Sequence, residues 1–333
     1  MSELIKLGII GAGTMGGVYA KAIAGTDLKY RTKVQAVCDV DLGRARELAR
    51  SEAVAYSSVE KMLQEESLDC VYLATPDPVH RTAFEQCMEA KVACLVEKPL
   101  ATNLDDARAM RAAAQSAGVY AEVNFTNHFN PPLLQAKAAV DSGVLGPIVG
   151  LFSRLSNVIS VPRDMLSWAG ESTVAWFLLS HTGELATWLT GWQPVSVLAR
   201  GSKGKLQAAG VDTWDLIQTM ITFDSGKTAL FENSWVLPES MPSLVQFDYV
   251  IHGELGQFSV DVSNQMVTSA GSNGYLFPGT LDWTQSRISA FLDALAGPLP
   301  ADGLANGVII TALLEATHRS LLTGQVEPIS GLD

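Results

Sequence analysis

A glycine-rich turn near the start of the chain has the residue types and spacing needed to bind a dinucleotide. In the segment Lys6–Tyr19, Gly11, Gly13 and Gly16 follow an apolar run and stand where a helical pattern begins. Gly11 permits a tight turn, Gly13 lets the main chain approach a pyrophosphate, and Gly16 lets the helix pack closely on the strand. Free N–H groups at the helix start then face the phosphates, so the turn predicts a nucleotide site.

A carboxylate at the end of the next apolar run indicates which nucleotide the site prefers. Asp39 follows the run Lys33–Cys38 and lies 23 residues after Gly16. A carboxylate here accepts hydrogen bonds from the adenosine ribose and repels an added 2′-phosphate, which favours NAD and disfavours NADP. The alternative is that Asp39 only begins a turn or caps the following helix. Arg44 and Arg46 could still approach the 2′-phosphate of NADP.

The loop Ala74–His80, with the sequence ATPDPVH, follows a third strand-like run, Cys70–Ala74. In open α/β sheets, ligands bind at the carboxyl ends of the strands. We therefore expect Thr75, Pro76 and His80 to line the nicotinamide half of the cofactor.

A fourth strand-like run, Val92–Val96, ends in the tripeptide Glu97-Lys98-Pro99. The same rule places the Lys98 side chain at the ligand-binding edge of the sheet. Taken alone, the tripeptide is more typical of a surface turn.

The first third of the chain alternates apolar strands with amphipathic helices, a pattern typical of a parallel sheet wound on both faces. The predicted strands are Lys6–Ile10, Lys33–Cys38, Cys70–Ala74, Val92–Val96 and Val119–Val123. The predicted helices are Gly16–Ala24, Leu42–Ser51, Ser58–Glu66, Val79–Ala90 and Leu104–Ala117. We expect a dinucleotide-binding domain over residues 1–123.

After about Asn124 the pattern changes to a β-rich α+β domain over residues 124–333. Its predicted strands, Pro194–Ala199, Trp214–Phe223, Thr228–Ser234, Phe247–His252 and Gln257–Val262, are joined by hairpin signals, which favour a large, mostly antiparallel or mixed sheet. Its predicted helices are Leu133–Ser142, Thr173–Thr190, Gln285–Ala296 and Leu304–Thr323.

Composition excludes several classes of function. The net charge of −12, without a Lys/Arg cluster, argues against a nucleic-acid partner. No apolar run approaches the roughly 20 residues that span a bilayer, and no leader segment precedes the first strand, so we expect a cytoplasmic protein. Four cysteines, Cys38, Cys70, Cys87 and Cys94, form no CxxC pair, and we expect buried thiols and no metal site.

Five motifs together resemble the glucose–fructose oxidoreductase / inositol dehydrogenase (Gfo/Idh/MocA) family over essentially the whole chain. They are GAGTMGG at Gly11–Gly17, CDVD at Cys38–Asp41, ATPDPVH at Ala74–His80, EKP at Glu97–Pro99 and HxxELxxWLxG at His181–Gly191. The resemblance implies a Rossmann domain followed by a domain built on an open sheet, through which homodimers or homotetramers assemble. It also implies hydride transfer between nicotinamide and a sugar or polyol carbon.

The resemblance implies roles for particular side chains. Thr14 and Met15, within the glycine turn, and Glu97 would contact the cofactor. Lys98 would hydrogen-bond cofactor and substrate and relay the proton of the reacting oxygen, and an ammonium beside a cationic nicotinamide suits acid/base work. His181 would accept that proton, since a neutral imidazole titrates close to working pH. Without the resemblance, His181 would be interpreted as a core histidine on an apolar helix.

The helix around His181 departs from the family pattern. Many members carry Asp four residues before the histidine and Gly two before it, where this chain has Phe177 and Leu179. Residues four apart share a helix face, so an Asp at that position could orient the imidazole, whereas Phe177 cannot. Glu184 is the nearest carboxylate on this face that could hold His181 or bind a substrate hydroxyl. It could equally be a solvated carboxylate.

Further candidates for substrate binding lie in the second half of the chain. Asn127 and His128 occupy the segment where relatives often present Arg or His, and without Arg the pocket suits neutral hydroxyls. Trp168, Trp176 and Trp235 could stack on a sugar ring, although core packing is the competing role for each.

The sequence therefore predicts an NAD-dependent dehydrogenase acting on a secondary hydroxyl of a neutral sugar, polyol or glycoside. Two alternatives stay open. One is an enzyme that keeps NAD bound and recycles it, in sugar–sugar oxidoreduction or oxidation-assisted glycoside cleavage. The other is a regulatory protein that binds NAD or a sugar without turnover, because fold alone does not establish function.

Overall fold

The structure is a computed structural model that describes residues 4–262, 269–271, 274–276, 283–297 and 302–331. The chain forms two compact units. Unit 1 contains the described residues up to Thr126 and the segment Trp283–Thr311, and unit 2 contains those of Asn127–Asp282 and Ala312–Asp333. The segment Trp283–Thr311, which the sequence analysis assigned to the second domain, thus has its contacts mainly in unit 1.

Unit 1 is built on a parallel sheet of six strands in the order β3-β2-β1-β4-β5-β6. The strands are β1 Ile5–Ile10, β2 Thr32–Cys38, β3 Val54–Tyr56, β4 Cys70–Leu73, β5 Ala93–Val96 and β6 Ala121–Val123. The helices that connect them are α1 Thr14–Gly25, α2 Leu42–Ala49, α3 Val59–Glu65, α4 His80–Glu89 and α5 Leu104–Ala117. This confirms the predicted doubly wound fold; β3, only three residues long, was not predicted.

Unit 2 is built on a mixed, mostly antiparallel sheet in the order β12-β11-β7-β10-β9-β8-β15. The strands of the unit are β7 Ile148–Val158, β8 Pro194–Ser202, β9 Leu216–Phe223, β10 Thr228–Leu237, β11 Val245–Gly253, β12 Gln257–Asp261 and β15 Glu327–Pro328, with a separate pair, β13 Ser269–Gly271 and β14 Gly274–Leu276. Within the large sheet, β7 and β10 are parallel, and the other described pairs are antiparallel. The predicted α+β class is confirmed, but β7 was missed.

The helices of unit 2 include α6 Pro131–Asp141, α7 Ser180–Thr190 and the short α8 Lys205–Ala208. The sequence predicted one continuous helix over Thr173–Thr190. Instead, Ala175–Leu179 forms a π-helical turn, and α7 begins directly after it. A π-helix has hydrogen bonds between residues i and i+5 and therefore more residues per turn than an α-helix. Phe177 and His181, four residues apart, thus do not share a helix face in the way that the prediction assumed.

The last two helices are α9 Thr284–Ala296 and α10 Ala305–Thr323. On α9, Ile288, Phe291 and Leu292 recur at helical spacing and pack into the hydrophobic core of unit 1. The adjacent Arg287 is buried and forms an ion pair of 2.6 Å with Glu122 of β6. This buried apolar face and ion pair explain why a segment so late in the chain belongs to unit 1.

The state of the cysteines agrees with a simpler expectation. All four cysteines are buried and carry free thiols, as predicted. Within the described ranges, no helix has the length and apolar character needed to cross a membrane.

Candidate functional site

The glycine turn between β1 and α1 leaves an open space beside its middle glycine. Gly11 has a φ of +100°, and a Cβ there would lie 2.4 Å from the carbonyl oxygen of Ala74. A Cβ on Gly16 would lie 2.1 Å from the carbonyl oxygen of Gly11, whereas one on Gly13 would meet no atom within 4 Å. The turn therefore needs Gly11 and Gly16 for its own packing. The space beside Gly13 stays clear, which fits a pyrophosphate at the start of α1.

Alanine substitutions along this turn should separate folding from cofactor binding. Gly16→Ala places a methyl group against main chain and should destabilise the protein by about 1–3 kcal/mol. Gly13→Ala should fold normally, with a φ of −80° that alanine adopts readily, yet bind NAD at least about tenfold more weakly because the methyl group enters the clear space. Thermal melts and NAD titration calorimetry measure both effects.

Gly17→Ala is the matched control. A Cβ there also meets nothing within 4 Å, but it lies four residues, about one helical turn, beyond Gly13 along α1. It should melt no lower than the unmodified protein, since alanine favours helix, and should bind NAD normally. Normal NAD affinity in Gly13→Ala would exclude this turn as the pyrophosphate site.

Asp39 connects the end of β2 to the glycine turn. Its Oδ2 accepts a hydrogen bond from the Ala12 N–H at 2.8 Å, and its Oδ1 accepts one from the Asp41 N–H at 2.9 Å. The cap of α2 is Asp41, which accepts from the N–H groups of Gly43 and Arg44. The helix-capping alternative for Asp39 is therefore wrong, whereas its turn-forming role is real. A carboxylate has about four acceptor positions, so Asp39 can still accept ribose hydroxyls.

His80 has a structural position instead of the cofactor contact expected from the sequence. Its side chain is 1% exposed. Nδ1 lies 3.1 Å from the carbonyl oxygen of Pro99 and 3.2 Å from that of Leu100, and Nε2 lies 3.0 Å from that of Thr75. Both ring nitrogens thus face main chain, and the imidazole joins the loop after β4 to the loop after β5.

Two polar atoms in the loop after β4 are buried without a protein partner among the described residues. They are Oγ1 of Thr75 and Oδ2 of Asp77. Burial raises the pKa of the Asp77 carboxyl, and the neighbouring Lys98 ammonium opposes that shift. Asp77 was not singled out in the sequence, although its place in the loop before His80 was visible. It is a buried acid beside the candidate catalytic lysine.

Glu97 and Lys98 are buried at the end of β5, so the surface-turn alternative is wrong. Oε1 of Glu97 accepts hydrogen bonds from the Tyr72 hydroxyl and from Nδ2 of Asn124, the latter at 2.6 Å. Oε2 accepts from the main-chain N–H of Lys98 at 3.2 Å. Three donors therefore hold this carboxylate, and the contacts give Glu97 a positioning role under Lys98 instead of the expected cofactor contact.

The network continues from Asn124 to the first helix. Tyr19 of α1 donates to Oδ1 of Asn124 at 2.7 Å, and its ring stacks on Tyr72 with the centroids 3.7 Å apart. Burial raises the pKa of the Tyr72 hydroxyl well above its usual range, and the Glu97 carboxylate raises it further. Both tyrosines therefore stay neutral donors. Sequence reasoning missed Tyr19, Tyr72 and Asn124; the only signal was that a glutamate at the end of a buried strand needs donors.

The turn Thr126–Phe129 brings two predicted residues of unit 2, Asn127 and His128, onto α7. Nδ2 of Asn127 lies 3.3 Å from Nδ1 of His181, and Nε2 of His128 lies 2.8 Å from Oε1 of Glu184. Glu184 is 1% exposed, so the alternative of a solvated carboxylate is wrong. Asn127, His128, His181 and Glu184 thus form one polar cluster.

The three tryptophans that the sequence suggested as stacking surfaces differ in their burial. Trp235 is 0% exposed and packs against Phe177, with ring centroids 5.6 Å apart. Trp176 is also buried, and its ring stacks on His318. Core packing is therefore the role that the structure gives both tryptophans, instead of an open stacking surface. Trp168, half-buried, also packs near Phe177, with the centroids 6.0 Å apart.

Trp188 was not proposed for the site, yet its ring stacks on His128 with the centroids 4.5 Å apart. It lies four residues after Glu184, so both side chains project from one face of α7 towards His128. This spacing, present in the His181–Gly191 motif, was the available signal. Trp188 and Glu184 together orient the imidazole of His128.

Comparison with known proteins supports the resemblance. Residues 5–125 match the model of an oxidoreductase family with an NAD-binding Rossmann fold, and residues 133–259 match the GFO/IDH/MocA C-terminal domain. The chain is 24% identical over 330 residues to inositol 2-dehydrogenase of Rhizobium meliloti (95% of this chain, 97% of that protein), and 27% identical over 345 residues to inositol 2-dehydrogenase of Rubrobacter xylanophilus (98% and 95%).

Among solved structures, scyllo-inositol dehydrogenase from Lactobacillus casei, with bound NAD(H) and scyllo-inositol, superposes with a TM-score of 0.85 at 18% identity, covering 99% of this chain and 100% of that one. At this identity the likeness shows the fold. The two matching domain models extend over most of the chain, and both describe the same family. The chain therefore belongs to the Gfo/Idh/MocA family of oxidoreductases, with an N-terminal NAD-binding Rossmann domain.

Proposed function

We propose that this protein is an NAD-dependent dehydrogenase that oxidises a secondary hydroxyl of an inositol-like polyol or neutral sugar, or reduces the corresponding ketone. The observation that carries the proposal is Lys98, which is 8% exposed at the carboxyl end of β5 and has its main chain held by Glu97. A buried lysine at the ligand-binding edge of a dinucleotide fold suits a proton-handling role. Two relatives are inositol 2-dehydrogenases, which supports the substrate class.

Lys98 and His181 are the two proton-handling side chains in this proposal. NAD, when bound, supplies a nicotinamide that accepts or returns the hydride. The Lys98 ammonium donates a hydrogen bond to the reacting oxygen and stabilises the negative charge that develops there. His181 accepts the hydroxyl proton in oxidation and returns it in reduction. The Glu97 network and His80 restrict the movement of Lys98, because they fix the main chain on both sides of it.

The ion pairs of two arginines in unit 2 support a neutral substrate. Arg154 pairs with Glu232 at 3.1 Å, and Arg163 pairs with Asp164 and Glu239 at 2.6 and 2.5 Å. Their charge is balanced within the protein. Asn127 and His128 provide hydrogen-bonding groups of the kind that recognise hydroxyls. A carboxylate or phosphate substrate would lack a free guanidinium partner on these two arginines.

The experiment that tests the proposal is nicotinamide reduction by the purified protein across inositols, aldoses and aryl glycosides, with NAD and NADP side by side. We expect NADH formation with at least one inositol or sugar and a clear preference for NAD. Copurified NAD with product formation but no net NADH would indicate the enzyme that recycles its cofactor. Tight NAD binding without any product would indicate the regulatory alternative and contradict the proposal.

We further propose that the protein forms a homodimer or homotetramer through the outer face of the sheet in unit 2. Val250, Phe152, Leu230, Met220 and Leu198 are direct partners on five neighbouring strands, and Leu230 is 51% exposed. Such an apolar row is typical of an interface. Leu230→Glu should lower the molar mass measured by light scattering, whereas Leu322→Glu, on α10 and 85% exposed, should not.

A further inference from the structure

The imidazole of His181 has an amide as a partner of Nδ1. Asn127 is 8% exposed, and its Nδ2 lies 3.3 Å from His181 Nδ1. Asn127 and His128 are consecutive in one turn, and His181 and Glu184 are three residues apart on α7. The two side-chain pairs therefore dock the turn on the helix at two points, which fixes where the Asn127 amide lies.

An amide and a carboxylate have different effects on a histidine. A carboxylate only accepts hydrogen bonds, so it keeps a proton on the nitrogen that it faces. An amide can present either Nδ2, which donates, or Oδ1, which accepts, and a half-turn about its last side-chain torsion exchanges the two. With Nδ2 towards Nδ1, as in this structure, the neutral imidazole carries its proton on Nε2. With Oδ1 towards Nδ1, the proton sits on Nδ1 and Nε2 becomes the base.

We propose that Asn127 is a positioning residue that selects the tautomer of His181. The inference rests on the proposed function, in which His181 accepts the substrate proton. Before that transfer the amide turns Oδ1 towards Nδ1, and the imidazole exchanges protons with water: Nε2 gives up its proton and Nδ1 takes one up. The hydroxyl proton then moves to Nε2, the imidazole becomes an imidazolium, and Oδ1 keeps its hydrogen bond from Nδ1 throughout. When the proton returns to a ketone, the same steps run in reverse. Asn127 thus takes the orienting role for which Phe177 is unsuited.

Three other titratable groups lie on α7 or on elements that contact it. Glu184, on the same helix, pairs with His128 of the facing turn at 2.8 Å. Tyr249 of β11 donates to the carbonyl oxygen of Thr182 at 3.4 Å, and burial keeps its pKa well above its usual range, with Glu184 adding to the shift. In the test below, these three groups are unchanged in every variant, so a difference between variants reports the partner of Nδ1.

The test is ¹⁵N nuclear magnetic resonance of the full-length protein with labelled histidine, without NAD or substrate. The chain has five histidines, so the His181→Gln variant identifies the His181 signals. We expect the Nε2–H tautomer in the unmodified protein and the Nδ1–H tautomer in Asn127→Asp. The added carboxylate should also raise the titration midpoint of His181 by about 1 pH unit or more. Thr126→Asp places the same charge in the same turn without replacing the amide, and should leave the tautomer unchanged.

Kinetics supply the second measurement. In Asn127→Asp the acidic limb of the kcat–pH profile should move upward with the titration midpoint. In Asn127→Leu, kcat should fall about tenfold, with KM and the Kd for NAD within about threefold, because orientation and not binding is lost. An Nδ1–H tautomer in the unmodified protein, or an unchanged tautomer in Asn127→Asp, would overturn the inference.

The two measurements also separate this inference from the proposed function. The resonance experiment needs no turnover, so the expected tautomers in a protein inactive on every polyol would keep Asn127 as the positioning residue while the dehydrogenase proposal fails. Normal dehydrogenase activity with the contrary tautomers would leave the function standing and refute the role of Asn127.

Discussion

Replacing Lys98 by methionine is expected to lower kcat by about 10²- to 10⁴-fold, the range typical of a lost acid/base group, while NAD still binds. The reason is that the substitution removes the ammonium and little else. Glu97 receives a hydrogen bond from the main-chain N–H of Lys98, which methionine retains. Methionine also fills a similar volume at a position that is only 8% exposed. The fold of the loop after β5 should therefore persist.

Loss of the ammonium also has a local electrostatic consequence. The positive charge of Lys98 opposes the rise that burial causes in the pKa of Asp77. Without it, Asp77 should hold its proton to higher pH, so the variant keeps no unpaired negative charge in the loop after β4. This is a second reason to expect a folded protein.

The measurement for Lys98→Met is kcat with the best polyol found, beside the Kd for NAD and a thermal melt. Lys33→Met, which removes an exposed lysine from β2 of the same unit, is the matched control and should keep full activity. Turnover within threefold of the unmodified protein would remove Lys98 from the chemistry.

The second large effect concerns the choice of cofactor. Asp39→Ala should lower the affinity for NAD by about 10- to 100-fold, since hydrogen bonds to a charged group are each worth about 1.5–3 kcal/mol. It should raise the affinity for NADP, because removal of a like charge removes a repulsion of several kcal/mol. The NAD/NADP preference should therefore fall by on the order of 10³-fold. Arg44, whose Nε lies 3.7 Å from Oδ2 of Asp41, is the residue that we expect to interact with an added phosphate once Asp39 is gone.

Binding of NADH and NADPH, followed by fluorescence titration, measures this preference without a substrate. Asp41→Ala is the control, because it removes the neighbouring carboxylate that caps α2. It should cost about 1 kcal/mol of stability and leave the cofactor preference unchanged. An unaltered preference in Asp39→Ala would assign Asp39 to the structure of the turn alone.

Local sequence patterns were sufficient to predict most of the N-terminal part of unit 1. Each of its longer strands is a short apolar run that ends at Gly, Asp, Thr or Glu, and the helices between them have clear boundaries, such as the Asn103 cap and the Gly118 stop of α5. Parallel strands are buried on both faces, so they remain visible as apolar runs. Short β3 lacked such a run.

The long strand β7 was missed because polar residues lie on its buried face. Ser153 is fully buried and donates to the carbonyl oxygen of Asp248, and buried Asn157 contacts the carbonyl oxygen of Leu244. These partners come from a segment about ninety residues later in the chain. Alternation of apolar and polar residues is the signal for a half-buried strand, and a strand whose inward polar groups are satisfied by a distant neighbour does not show it.

By itself, the sequence determined the glycine turn, Asp39, the Glu97-Lys98-Pro99 motif and the family, because these depend on residue types at short, fixed spacings. Only the tertiary structure decided which partner each polar group has: Asn124 and Tyr72 for Glu97, main-chain carbonyls for His80, and Asn127 for His181. Apart from the Thr75 carbonyl, five residues before His80, those partners lie from 19 to 54 residues away along the chain. A buried hydrogen-bonding group must find a partner somewhere, but the chain's path through space, and not its local pattern, determines which one.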